Sequence, residues 1–159
     1  MKYQIRPAKT GDGQAIYDVT RQSVRELSKD FYGAETIAGW MGQRDADFYE
    51  QLIANGRVFV AAGSGENVVA FVDTVPGEIT RLFVLPIAAG NGLGGRLMEV
   101  AIDQAAKDFE GPIIVESSLN AEQFYNKRGF QRVKLGMSTH DTGGAEMEVV
   151  HMERPTNTA

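Results

Sequence analysis

The sequence predicts an α/β domain with a mixed, mostly antiparallel sheet flanked by helices. Three observations carry that expectation. Residues 57–84 hold three strand-like runs joined by short Gly and Pro turns, and loops that short join only antiparallel neighbours. A glycine-dense turn, Gly90-Asn91-Gly92-Leu93-Gly94-Gly95, then leads from a strand that stops at Pro86 into a helix-like run, Arg96 to Phe109. Beyond it, strand-like and helix-like patterns alternate to the end of the chain.

Taken in order, residues 2–6 (Lys-Tyr-Gln-Ile-Arg) read as a first strand. A helix follows from about Asp12 to Ser28, with Ile16, Val19, Val24 and Leu27 at helical spacing. Ala34 to Met41 reads as a short helix. Asp45 to Asn55 reads as a better one, capped by Asp45, striped by Phe48, Tyr49, Leu52 and Ile53, and ended by Gly56. The period then changes to that of strands in Arg57–Ala62, Val68–Asp73 and Glu78–Val84, with Gly63 to Asn67 as a hairpin loop. In the helix after the glycine turn, Leu93, Leu97, Val100, Ala101 and Ala105 mark one apolar face. Pro112 to Glu116 is a short buried strand, and Ala121 to Arg128 is a short helix closed by Gly129. Phe130–Met137 and Ala145–Glu153 are the last strands. Residues 1–155 are expected to form one domain, and Thr156 to Ala159 to fray.

With 159 residues the chain is long enough for one domain with a real core. No run approaches the roughly 20 apolar residues of a membrane span. The opening Met-Lys-Tyr-Gln-Ile-Arg lacks the apolar stretch of a secretory signal, so a cytoplasmic location is the expectation. Cysteine is absent, which removes disulfides, thiolate metal sites and covalent cysteine chemistry. Two histidines, His140 and His151, make a catalytic zinc site a poor reading, and no metal is expected. The formal net charge of −5 argues against a nucleic-acid partner. A monomer or a homodimer fits equally.

A glycine-rich turn between strand and helix exposes backbone N–H groups beside the positive end of a helix dipole, a site suited to phosphate. Three phosphate motifs compete for it. Gly90 to Gly95 has P-loop spacing, but Arg96-Leu97 follows where Lys-Ser or Lys-Thr should grip phosphate and magnesium. Gly90-x-Gly92-x-x-Gly95 also spells a dinucleotide fingerprint, with Glu116 at a strand end where a ribose-binding carboxylate belongs. That fold needs a parallel βαβ unit, and the hairpin-length loops before the turn forbid it.

The third motif explains the flanks as well. Glu78-Ile-Thr-Arg-Leu-Phe-Val-Leu-Pro86, then Ala89-Gly-Asn-Gly-Leu-Gly94, resembles the acetyl-CoA-binding motif of the GCN5-related N-acetyltransferases. In that motif a strand ends near Val-x-Pro, and Arg/Gln-x-x-Gly-x-Gly/Ala opens a helix. Ala121-Glu-Gln-Phe-Tyr-Asn-Lys-Arg-Gly-Phe130 is similar to the family's Ala-x-x-Phe-Tyr-x-x-x-Gly-Phe segment, in the expected order and at the expected distance. The resemblance covers nearly the whole chain and implies the acyl-CoA N-acyltransferase fold. Two departures stand out. Ala89 replaces the usual Arg or Gln, which leaves only backbone donors for phosphate at that point. Ser118 replaces a frequent Asn, with Asn120 and Gln123 as an alternative helix cap.

The resemblance also implies roles. Backbone groups of Gly90, Asn91, Gly92, Leu93, Gly94 and Gly95 would hold the CoA pyrophosphate. Phe83, Val84 and Leu85 would pair with pantetheine where their strand splays from the next at a bulge, and Ser118 and Asn120 would add polar contacts. Tyr125 would both touch the cofactor and protonate the departing thiolate. A thiol near pKa ~8.5 and a phenol near ~10 differ by about 2 kcal/mol, which a modest local shift offsets. Glu78 is the leading general base and Glu116 the second. Tyr32, Trp40 and Glu116 are the acceptor-side candidates, with Phe31 in the same segment; His140 reads as a loop residue and His151 as structural. The implied activity is an acetyl-CoA-dependent N-acetyltransferase, transferring directly to an amine. A non-catalytic CoA-binding sensor on the same fold is the alternative.

Overall fold

The computed structural model describes residues 3–42, 44–90, 92–138 and 147–155. Its elements run β1 (Gln4–Pro7), α1 (Gly13–Leu27), α2 (Ala34–Gly39), α3 (Ala46–Ala54), β2 (Val58–Ala62), β3 (Val68–Val75), β4 (Glu78–Val84), α4 (Leu93–Ala106), β5 (Ile113–Ser117), α5 (Glu122–Asn126), β6 (Gln131–Met137) and β7 (Glu148–Arg154). The strands form one seven-stranded sheet in the order β1-β2-β3-β4-β5-β7-β6. Every neighbouring pair is antiparallel except β4 and β5. The mixed, mostly antiparallel α/β architecture is therefore the observed one.

Alternation along β2 and β3 sets the layers. Val58, Val60 and Phe71 face Ile16 and Val19 of α1 and Tyr49 of α3. Their neighbours Ala61, Ala70 and Val72 face the opposite way, onto Leu93, Leu97, Met98, Ala101 and Ala105 of α4. Ile113 and Val115 of β5 and Val150 and Met152 of β7 extend that second core toward Tyr125 of α5 and Phe130.

Helix ends follow local chemistry where the chain supplies it. Asp45 caps α3 by accepting from the Phe48 N–H at 3.0 Å, and Gly56, at φ +77, ends that helix. α1 is capped from a distance instead. The Glu50 carboxylate on α3 accepts from Gly11 N–H at 3.1 Å and from Gly13 N–H at 2.6 Å. A Cβ at Gly13 would stand 2.5 Å from that carboxylate, so glycine is what admits it.

Two elements depart from expectation. α4 begins at Leu93, three residues early, so Gly94 and Gly95 lie in its first turn and only Gly90 and Gly92 shape the bend before it. Met98 joins its buried face while Val100 is only half-buried. α5 is shorter than the pattern suggested, because residues 119–121 form a separate 3-10 turn ahead of it. The cap expected there is not made. Neither Ser118 nor Asn120 gives a side-chain cap, and Asn120 Oδ1 instead accepts from the Ser28 hydroxyl at the end of α1 at 3.1 Å.

Candidate functional site

β4 and β5 share only two register positions, Glu78 with Ile114 and Ile79 with Val115, and then part. The parting begins at a bulge. Ile79 faces Thr74 and Arg81 faces Asp73, so Thr80 is an extra residue on β4. Past the bulge, backbone groups on one side of β4 lose their strand partner. Leu85 N–H goes to Val69 O of β3 at 2.8 Å. Strand alternation then turns Phe83 toward β3 as well, and turns the amides of Leu82 and Val84 toward the gap. Of Phe83, Val84 and Leu85, the three expected to offer backbone to the gap, Val84 faces it, and Leu82 faces it too. Phe83 lines the cleft but spends its backbone on β3, and Leu85 does not line it. The Val84 carbonyl accepts from Ser23 Oγ of α1 at 3.0 Å.

The gap opens into a cleft of about 450 Å³, bounded by the C-terminal half of α1, the end of β4, the glycine turn and α5. At its far end stands the N-terminus of α4. Gly92 is the residue before the helix, at φ 77 and ψ 0. Arg96 N–H bonds back to Gly92 O. The N–H groups of Leu93, Gly94 and Gly95 thus belong to the unpaired first turn, where the dipole is positive. The glycines divide the work. Gly90 and Gly92 have positive φ and open space where a side chain would start, whereas a Cβ on Gly94 or Gly95 would meet the Phe124 ring or the Arg128 guanidinium at 2.8 Å. The first pair makes the bend, and the second lets α5 press against α4. The Leu93 side chain is buried in the core, so it offers the cleft only its backbone. Asn91 lies outside the described residues, as does His140.

Two cations also reach the cleft. Lys127 and Arg128 both line the cleft. The Arg128 guanidinium sits 4.1 Å over the Phe124 ring and donates to Phe124 O at 3.0 Å, which holds it above the start of α4. The cleft thus carries side-chain cations besides the backbone donors that Ala89 leaves. The missed signal was the Lys-Arg pair directly before Gly129. A second groove of about 530 Å³ continues past the same residues and adds Arg96 and Arg154, and Glu99 lines it as well.

Tyr125, Ser118 and Asn120 border the same cleft. Tyr125 packs edge-on against Phe124 and Phe130. Burial pushes its phenol well above its ordinary value. The expected offset of the phenol–thiol gap is therefore not present in the protein alone; the shift runs the other way and keeps the proton on oxygen.

Glu78 is not brought to this cleft. It begins β4 right after the Pro76-Gly77 turn, and Gly77 N–H donates to Ala105 O, near the C-terminal end of α4. Six residues of extended chain, about 20 Å, separate it from Val84. Glu116 alternates with the buried Val115 and Ser117, so it faces away from α5. There it accepts from Ser138 Oγ at 3.2 Å and lies 3.7 Å from His151 Nδ1, while His151 Nε2 is 3.2 Å from Met137 O. Tyr32 and Trp40 do not line the cleft; they pack on each other edge-on with ring centroids 5.2 Å apart. The Tyr32 hydroxyl donates to Glu148 O at 2.6 Å and accepts from Leu119 N–H at 2.9 Å, which bolts the segment after α1 to the ends of β5 and β7. Phe31 is exposed. Among the described residues no group of three or more His, Asp or Glu side chains is placed to hold a metal.

A family model described as an acetyltransferase (GNAT) domain matches residues 22–153, which span the split strands, the glycine turn and the Tyr125 helix. The chain belongs to the GNAT acetyltransferase family. An uncharacterized N-acetyltransferase, YafP of Escherichia coli K12, is 28% identical over 131 residues, covering 82% of this chain and 83% of that protein. A GCN5-related N-acetyltransferase structure from Rhodopseudomonas palustris, titled as a class-II aminotransferase, superposes with a TM-score of 0.87 at 20% identity, covering 98% of this chain and 97% of that one. The PaiA N-acetyltransferase of Thermoplasma acidophilum, solved in complex with coenzyme A, superposes at 0.75 with 19% identity, covering 98% and 100%. At these identities the structural matches establish the GNAT fold. Among the described residues, no GNAT helix of this chain is long and apolar enough to cross a membrane.

Proposed function

We propose that this chain moves an acetyl group from acetyl-CoA to a primary amine by direct transfer in a ternary complex. The observation that supports it most is the continuity of one cleft, from the β4–β5 gap, past Tyr125, to the glycine-bent start of α4 beside Lys127 and Arg128. PaiA, with the same fold, was solved with coenzyme A.

Acetyl-CoA supplies an activated thioester. The N–H groups of Leu93, Gly94 and Gly95 would receive its pyrophosphate, with Gly90, Asn91 and Gly92 forming the bend that gives access. Lys127 and Arg128 would neutralise phosphate charge, and Arg96 and Arg154 extend the cationic surface along the adjoining groove. The gap-facing amides of Leu82 and Val84 would align the pantetheine chain and polarise the thioester carbonyl. The Tyr125 hydroxyl would donate its proton to the leaving sulfur; its raised pKa keeps the proton on oxygen in the resting protein but makes it a weaker acid, so the developing thiolate beside it would have to draw the proton across. Ser118 and Asn120 would add polar contacts. An amine approaching from the side of β5 away from α5 would meet Glu116, which would take its proton there, with Glu78 as the other carboxylate to test. With no cysteine in the chain, transfer through an acyl-cysteine is closed.

A CoA-binding sensor needs no general base, and Glu78 does not line the cleft, so the sensor is kept as the second reading. Calorimetry with acetyl-CoA and with NAD, followed by free-thiol release across a panel of amines, tests both. Tight acetyl-CoA binding with amine-dependent thiol release is the expected result. Binding without release from any amine leaves the sensor, and preference for NAD removes the CoA assignment.

A further inference from the structure

The split between β4 and β5 has a small buried device behind it, on the side of β4 away from the gap. Both residues of the bulge turn to one carboxylate. Thr80 Oγ1 lies 2.6 Å from Asp73 Oδ2, and Arg81 Nη1 donates to the same oxygen at 2.8 Å. Thr80 Oγ1 is also 2.8 Å from the Asp73 carbonyl, so its hydroxyl is held from two directions. Asp73 is 4% exposed, on a strand in the middle of one half of the sheet. Burial pushes its carboxyl up, against the Thr80 hydroxyl and the Arg81 and Arg57 charges that hold it down. The Arg81 guanidinium in turn lies over the Phe48 ring of α3 at 5.2 Å.

The position of this cluster along the strand is what gives it meaning. β4 is paired with β5 at Glu78 and Ile79, and the extra residue is the very next one. A bulge bends its strand and adds local twist, which carries β4 away from a neighbour it would otherwise keep pairing. A regular β4 would continue the parallel ladder onto Glu116 and Ser117 and consume the amides that face the gap.

We propose that Asp73 is a positioning residue: by gripping Thr80 and Arg81 it fixes the bulge, and so fixes where β4 leaves β5 and which backbone amides stay open to the cofactor chain. The link to cofactor binding rests on the acetyl-CoA reading above, whereas the link to strand separation rests on the bulge alone. Asp73 touches neither reacting group in this account; it acts through the backbone of Leu82 and Val84.

The test uses the full chain with Asp73→Asn, Thr80→Val and Thr80→Ser. Amide hydrogen exchange is read at Leu82 and Val84, with Leu93 as an internal reference, and CoA affinity is read by calorimetry. Asp73→Asn and Thr80→Val are expected to slow exchange at Leu82 and Val84 at least tenfold as the strands re-pair. They should weaken CoA binding at least tenfold while exchange at Leu93 is unchanged. Thr80→Ser, which keeps the hydroxyl, should restore both. If Asp73→Asn fails to fold, the near-isosteric Thr80→Val carries the measurement. Wild-type exchange at Leu82 and Val84 in a folded variant overturns the proposal, as does a lowered Tm with CoA affinity intact. If the wild-type chain itself ignores CoA, the cofactor reading fails, and the exchange data still decide whether Asp73 sets the bulge.

Discussion

Gly92→Asp separates a structural role for the glycine turn from a phosphate-binding one. Gly92 has φ +77, and nothing lies within 4 Å of where its side chain would begin. The left-handed backbone costs an L-residue about 1–2 kcal/mol, with Asp and Asn among the most tolerant. A carboxylate at a helix N-terminus returns about 0.3–1 kcal/mol through the dipole. Stability should therefore fall by only about 1 kcal/mol. Anion binding should suffer far more. A carboxylate about 4.5 Å from a phosphate charge, at an effective dielectric near 20, opposes it by about 3.7 kcal/mol, or between two and three decades in Kd. Gly92→Asn carries the same backbone cost without the charge and serves as the control. Calorimetry with acetyl-CoA at low salt should show the Asp variant binding about 100- to 500-fold more weakly than the Asn variant, with the gap narrowing as salt rises. Equal affinities for the two variants would mean that no phosphate sits at this turn.

Other expectations follow from neighbouring residues. Tyr125→Phe keeps the edge-on packing with Phe124 and Phe130, so CoA affinity should stay within about twofold while thiol release slows on the order of 100-fold. Because burial raises the Tyr125 phenol, the wild-type rate should show no fall between about pH 8 and pH 10 from loss of that proton, as a pH profile of kcat would reveal. Arg128→Met removes a charge-assisted phosphate contact of about 1.5–3 kcal/mol, so acetyl-CoA should bind roughly 10- to 100-fold more weakly with a shallower salt dependence, and Arg128→Lys should recover part of the loss. Asp12 supplies the pH test of stability. Burial pushes its carboxyl up, but the Arg6 guanidinium and the Lys9 N–H hold it, on balance, below the ordinary value. A depressed carboxyl stabilises the fold above its unfolded pKa and loses that contribution as pH falls through the folded value. Denaturation of Asp12→Asn should thus differ from wild type at neutral pH and converge with it as pH drops below about 4.

The hairpins, the glycine bend and the Phe124-Tyr125 helix were legible because each is written in consecutive residues. Asp45 as a cap and Gly56 as a stop are of the same kind. What stayed hidden depends on distance across the fold. Glu50 capping α1 joins residues from two helices, and nothing near Gly13 in the sequence announces it. Arg128 reaches the start of α4 only because Gly94 and Gly95 let α5 come close. Glu78 looked near the cofactor because it is near the motif in sequence, but an extended strand carries it to the opposite end of α4. That the Leu85 amide turns to β3 was hidden for a reason of parity: which amides face a gap follows from the hydrogen-bonded register with β3, and a single bulge residue resets it.

The two-position join between β4 and β5 has a mechanical consequence. It leaves the sheet as two stiff leaves, β1 to β4 and β5 to β6, sharing a short seam at one end. At the other end, side-chain bonds run from the end of α1 and the segment after it to the second leaf, Ser28 to Asn120 and Tyr32 to Leu119 and Glu148, while Ser23 ties α1 to Val84 of the first and α4 packs on strands of both. Hydroxyl laces stretch and swap partners more readily than a β ladder breaks. Any strain between the leaves at that end therefore falls on the bonds of Ser28 and Tyr32 before it falls on a strand ladder. Replacing Ser28 and Tyr32 by Ala and Phe would thus loosen the two leaves from each other at the cleft end while leaving every strand pair in register.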